Sequence, residues 1–230
     1  RKLPGTARAL QPFWSPDGRA LGFFADTKLK TIRIESARIE ALCDAPDPRG
    51  GTWGSQGSIV FAPIAMGSLY SVPSEGGAVT LVLRPDTTRG ETALRYPEFL
   101  PDGRGFLFVA LPRHEGVFQA YLGHLGSSDR RALMLAGAAP VYAEPGWLVT
   151  VQNDRLVAQR FDAGGGRVTG KPVVLGDAPI LTGNDGTRAV SVSRNGILTY
   201  PAQRRSDTQL AWLDRSGQVE HLFSLPAGRW

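Results

Sequence analysis

The stretch "WSPDGR" occupies residues 14–19, and "FLPDGR" occupies residues 99–104. In both, Pro-Asp-Gly-Arg follows an aromatic residue and precedes an apolar run. One Pro-Asp-Gly is only a turn: Pro presets φ, and Gly accepts the positive φ that closes it. A second copy 85 residues later asks for a repeat, and a repeat decides the fold before any single element does.

The search pattern is an aromatic or β-branched anchor, three residues, a Gly, then an apolar run. Five segments fit, anchored at Trp14, Trp53, Phe99, Tyr142 and Val192, with spacings of 39, 46, 43 and 50. Those spacings bracket the ~40–50-residue period of propeller blades. Pro16-Asp17-Gly18 and Pro101-Asp102-Gly103 keep the full turn. The other three units keep only its glycine, at Gly57, Gly146 and Gly196. Each unit then continues alike. In the second, "SIVFAP" is followed by "GSLYSVPS", a turn at "EGG" and "AVTLVLR". Counting the anchor stretch, that is four strands, the antiparallel meander of a β-propeller blade.

The expected fold is therefore all-β, a propeller segment of about five four-stranded blades. Its units are 11–48, 49–90, 91–136, 137–182 and 183–226. Residues 1–10 read as the tail of a preceding blade's outer strand, and 227–230 as the start of a following blade. One segment competes with this reading. "TKLKTIRIESARIEALCDA" (27–45) lacks Gly and Pro, and Ile39 and Leu42 sit at helical spacing. The repeat places strands three and four there, so a hairpin turning near Ser36 is expected.

Composition narrows the function. There is no run of about 18 apolar residues, so no membrane span is expected. The chain has no signal peptide and does not begin with Met, which suits a piece of a longer protein. Cys43 is the one cysteine, which leaves no disulfide framework and no cysteine metal site. The net charge of +5 is spread along the chain, with no basic run or basic helix that would speak for nucleic acid. Gly and Pro are plentiful throughout, as many short strands and turns require.

The quoted segments, with "RGGTW", "LYSVPSEGG" and "VSRNGILTY…QLAWLDRSG", resemble the TolB-like, WD-type bacterial propeller repeat. Their order is similar to that in propellers C-terminal to bacterial serine/threonine protein kinase domains. The resemblance covers nearly the whole chain. It implies an extracytoplasmic binding module behind a kinase and a membrane span. The chain itself carries no kinase catalytic loop, no Asp-Phe-Gly and no Val-Ala-x-Lys strand, so it is not expected to be an enzyme. The alternatives are the accessory propeller of a prolyl-oligopeptidase-type serine peptidase and a free TolB-like periplasmic scaffold.

Other motifs favour structural roles. "GGRVTGKP" (165–172) matches G-x-x-x-x-G-K, but Pro172 stands where Ser or Thr would hold Mg²⁺. No G-x-S-x-G elbow accompanies the three histidines. His114 and His124 lack metal-pair spacing, and "GNDGTR" (183–188) has too few oxygen ligands for calcium. Asp17 and Asp102 are expected to bond turn amides rather than to act as paired acids. Trp14, Trp53, Phe99 and Tyr142 are expected in the blade core, packed between neighbouring blades, with Trp147 and Trp212 inside strands. No catalytic residue, metal or cofactor is expected. The expected partner is a protein, peptide or small ligand, with self-association through exposed terminal blade edges.

Overall fold

The computed structural model describes residues 3–113, 117–178, 190–193 and 195–200, and the backbone of 211–213 and 219–222. The first sheet contains β1 (Leu10–Trp14), β2 (Ala20–Ala25), β3 (Lys28–Arg33) and β4 (Ile39–Asp44), in that spatial order. The second contains β5 (Gly51–Trp53), β6 (Ser58–Phe61), β7 (Leu69–Pro73) and β8 (Thr80–Leu83). A 3₁₀ turn at Thr87–Arg89 leads into the third: β9 (Glu91–Phe99), β10 (Gly105–Pro112), β11 (Phe118–His124) and β12 (Arg130–Ala136). The fourth has β13 (Val141–Ala143), β14 (Trp147–Gln152), β15 (Arg155–Asp162) and β16 (Arg167–Asp177). The fifth unit is described as two pairs, β17 (Ser191–Val192) with β18 (Leu198–Thr199) and β19 (Ala211–Leu213) with β20 (Val219–Leu222). All pairings are antiparallel between sequence neighbours. This is a β-propeller segment, and the described sheets do not close into a ring.

The ambiguous stretch forms a hairpin. Ile32 pairs with Ile39, and Ala37 at φ 55° closes the turn by donating its N–H to the Arg33 carbonyl at 2.8 Å. β3 is buried on both faces, at Leu29 and Thr31 on one and at Ile32 on the other, and this burial between neighbouring strands outweighs the weak helical spacing of Ile39 and Leu42.

Most of the core lies between successive blades. Phe24 and Leu29 of the first sheet meet Ile59, Phe61 and Val72 of the second. Val60, Leu69 and Leu83 of the second meet Leu94, Phe106 and Phe108 of the third. Leu107 and Leu122 of the third meet Leu148 and Phe161 of the fourth. Val149, Val151 and Leu156 of the fourth meet Val190, Val192 and Leu198 of the fifth unit. The second, third and fourth sheets are each buried on both faces between neighbouring blades, so each of these blades depends on its neighbours.

Cys43 sits half-buried in β4 against the first of these clusters. Burial, reinforced by the Asp44 carboxylate, pushes its thiol up to about 11. The thiolate is the reactive form, so near pH 8 the folded protein is expected to react with a thiol reagent on the order of a hundredfold more slowly than an ordinary cysteine. Equal rates for folded and urea-unfolded protein would refute this.

Candidate functional site

The glycine-closed turns join the first two strands of each unit. Gly18, Gly57, Gly103, Gly146 and Gly196 all take positive φ, between 66° and 97°. Each donates its N–H to the carbonyl three residues back: Ser15, Gly54, Leu100, Ala143 and Ser193 respectively. The two Pro-Asp-Gly-Arg turns differ from the rest in length. Ser15 and Leu100 donate to carbonyls five residues on, at Ala20 and Gly105, whereas Gly54 and Ser193 donate to carbonyls four residues on. The extra residue brings an amide that the strand ladder does not use. Asp17 and Asp102 accept it: the Arg19 and Arg104 N–H groups each lie 3.0 Å from the carboxylate. Asp102 takes the Gly105 N–H as well, at 2.9 Å, and Asp17 takes the Ser15 hydroxyl at 2.6 Å. The Ser15 hydroxyl, followed by the Arg19 amide, holds the Asp17 carboxyl below the usual carboxylate range. Both aspartates are thus committed to their own turns.

The anchors precede these turns and pair with the second strand: Trp14 with Leu21, Trp53 with Ile59, Phe99 with Phe106, Tyr142 with Leu148 and Val192 with Leu198. Four of them pack toward the preceding blade. Trp53 borders the cluster shared by the first and second sheets, and Phe99 the one shared by the second and third. Tyr142 and Val192 do the same one blade further on each time. Trp14 does not. It is 61% exposed, which corrects its expected place in the core. The reason is the arc: no described blade precedes the first sheet. Phe13, one residue earlier and past a register shift in β1, turns the other way and is buried against the second sheet.

Trp53, Phe99, Tyr142 and Val192 have a second role that the repeat pattern did not signal. All four line one cleft of about 420 Å³ at the turn end of the blades, together with Pro16 and Pro101 from the two long turns. The backbone holds this rim closely. A Cβ at Gly54 would lie 2.8 Å from the Phe99 ring, so the third anchor rests directly on the second turn. The Thr52 hydroxyl accepts the Phe99 N–H at 3.0 Å, and the Glu98 carboxylate accepts the Tyr142 N–H at 2.8 Å. The Tyr142 ring stands edge-on to Phe161, with centroids 6.3 Å apart. Burial, then the nearby Glu144 carboxylate, raises the Tyr142 phenol above its ordinary value. Trp53, Phe99 and Tyr142 are therefore fixed aromatic surfaces with one side in the blade seam and one side on an open cleft.

Glu98 and Glu144 are the charged residues among the described lining of the cleft. Neither was singled out from sequence. The available signal was register: Glu98 directly precedes the anchor Phe99, and Glu144 follows the anchor Tyr142 by two residues. The other sequence candidates do not converge here. The "GGRVTGKP" segment forms the turn into β16 and that strand's first half, with the Gly165 N–H on the Asp162 carboxylate at 2.9 Å. His124 ends β11 as an exposed residue. His114 and the 183–188 stretch lie outside the described residues, as does the side chain of Trp212.

No protein-family model matches the chain, and no curated protein does. Solved structures do. TolB from Acinetobacter baumannii aligns with a TM-score of 0.62 at 16% identity, over 92% of this chain and 53% of that one. A putative TolB from Agrobacterium tumefaciens aligns at 0.58 and 16%, over 92% and 79%. XC5397, a gluconolactonase from Xanthomonas campestris, aligns at 0.59 and 14%, over 92% and 74%. The likeness is one of fold, shared by propellers named for different activities, and this chain spans about half the length of the Acinetobacter TolB.

Proposed function

We propose that this chain is a non-catalytic propeller module that holds a protein or peptide segment in the cleft at the turn end of its blades. The extracytoplasmic part of a bacterial serine/threonine protein kinase is its proposed setting. The observation that carries the reading is the gathering of Trp53, Phe99 and Tyr142, one from each of three successive blades, around a single open cleft. Large aromatic side chains already locked by packing offer contact area at small entropic cost, as binding hot spots require. The ordered Pro-Asp-Gly units, similar to those of kinase-linked propellers, support the kinase setting, and the likeness in fold to TolB propellers fits an extracytoplasmic one. Among the described residues no helix is long and apolar enough to cross a membrane.

The cleft is tested by selecting peptides from a random library against the protein and counter-screening with Pro101→Trp. Pro101 is exposed at the second position of its turn, where most residues are tolerated, and a large ring there fills the cleft. Selected peptides are expected to lose binding to the variant. Undiminished binding would place the interaction elsewhere. The setting is tested by the full open reading frame: a kinase domain upstream is expected, and a G-x-S-x-G hydrolase domain downstream would sink it.

A further inference from the structure

We infer that the cleft is selective for an arginine side chain, presented by a peptide and received between the Tyr142 ring and the Glu144 carboxylate. The inference rests on the reading of the cleft as a peptide site. Three observations carry it. The first is charge. Among the described residues lining the cleft there is no lysine or arginine, and the charges present are carboxylates, although the chain as a whole is +5. Glu98 is half-buried and accepts the Tyr142 N–H, whereas Glu144 is exposed on the rim, where a ligand's cation reaches it first.

The second observation is surface type. Three aromatic rings share the cleft with small turn residues such as Gly54 and Ser55. A ring face attracts a cation, and a planar guanidinium stacks on it while keeping its N–H fork for a carboxylate. A carboxylate-bearing ligand meets repulsion from Glu144 on the same surface, which gives selectivity as well as attraction.

The third is that the same protein builds this arrangement internally. In the third blade the Arg130 guanidinium lies 4.8 Å from the centroid of the Tyr121 ring. It also contacts the Glu91 carboxylate at 2.8 Å. In the fourth blade Arg160 stacks over Trp147 at 4.0 Å. Tyr142 and Glu144 bring the same two residue types, a tyrosine ring and a carboxylate, to the lining of the cleft.

The test uses capped pentapeptides Ser-Gly-X-Gly-Ser, with X as Arg, Leu or Glu, titrated into the ¹⁵N-labelled protein. Amide shifts are followed around Gly54, Phe99 and Tyr142. The arginine peptide is expected to move these amides at the lowest concentration. Its affinity is expected to fall about tenfold with Glu144→Gln, equivalent to ~1.4 kcal/mol, and to weaken when salt rises to about 0.5 M. Glu144 is exposed, so the variant is expected to fold, and Glu75→Gln on another turn serves as the matched control. Leucine or glutamate peptides that move the cleft amides as strongly as the arginine peptide overturn the selectivity while leaving the cleft as a peptide site. Arginine binding that Glu144→Gln leaves unchanged overturns the role of that carboxylate. If no pentapeptide moves the cleft amides, the inference falls. The library selection against Pro101→Trp then decides separately whether the cleft binds peptides at all.

Discussion

Phe106→Ala is expected to destabilise the fold by about 3–5 kcal/mol, the range for emptying a buried phenylalanine site. Phe106 is fully buried at the seam of the second and third blades. Its ring lies 6.0 Å from Phe99 and 5.7 Å from Phe108, centroid to centroid, and its other neighbours include Leu83 of β8. Gly123 abuts it from the next strand, so the backbone there is shaped to the ring. Because the seam joins two sheets that are each buried on both faces, the cavity weakens a blade-to-blade contact rather than one blade. The measurement is the urea midpoint against Val79→Ala, a substitution at a 45% exposed position expected to change stability by less than about 0.5 kcal/mol. Equal shifts for the two variants would show that the seam does not hold the arc together.

Glu91→Ala is the second large effect, again about 3–5 kcal/mol, but from charge rather than volume. Glu91 is 6% exposed at the start of β9. One carboxylate oxygen accepts the Tyr121 hydroxyl at 2.8 Å; the other accepts the Asp86 N–H and the Arg130 guanidinium, both at 2.8 Å. The Arg130 side chain is only 11% exposed, so removing Glu91 leaves a buried cation with the more distant Asp86 carboxylate, 3.8 Å away, as the other carboxylate in ion-pair reach among the described residues. The pair itself adds little net stability, since taking two charges from water offsets most of their attraction. The double variant Glu91→Leu/Arg130→Met is therefore expected to recover most of the loss in thermal unfolding. A double variant no more stable than Glu91→Ala alone would mean that the pair, and not the orphaned charge, carries the energy.

The turns were legible because their chemistry is local. A glycine at positive φ and an aspartate bonded to an amide two residues on leave their mark within six residues of sequence, at 14–19 and again at 99–104. The hairpin at Ser36 was legible only through the repeat, since its own spacing also fits a helix. The role of the anchors was half legible. Period-2 alternation shows that Trp53, Phe99 and Tyr142 face a neighbour, but in a blade buried on both sides it does not say which one. Trp14 shows the consequence: it occupies the same repeat position as the others yet is exposed, because whether a ring is buried depends on the adjacent blade and not on its own strand.

By itself, then, the sequence determined the all-β class, the period, the order of strands within each unit and the glycine turns, all of which follow from backbone conformation and side-chain alternation over short distances. Only the tertiary structure decided which anchors are buried, that Glu91 and Arg130 meet across 39 residues, and that Tyr142 and Glu144 share a cleft with Trp53 and Phe99. Those facts depend on the angle at which one blade meets the next. That angle is set by the summed packing of every seam residue, so no local pattern in the chain records it.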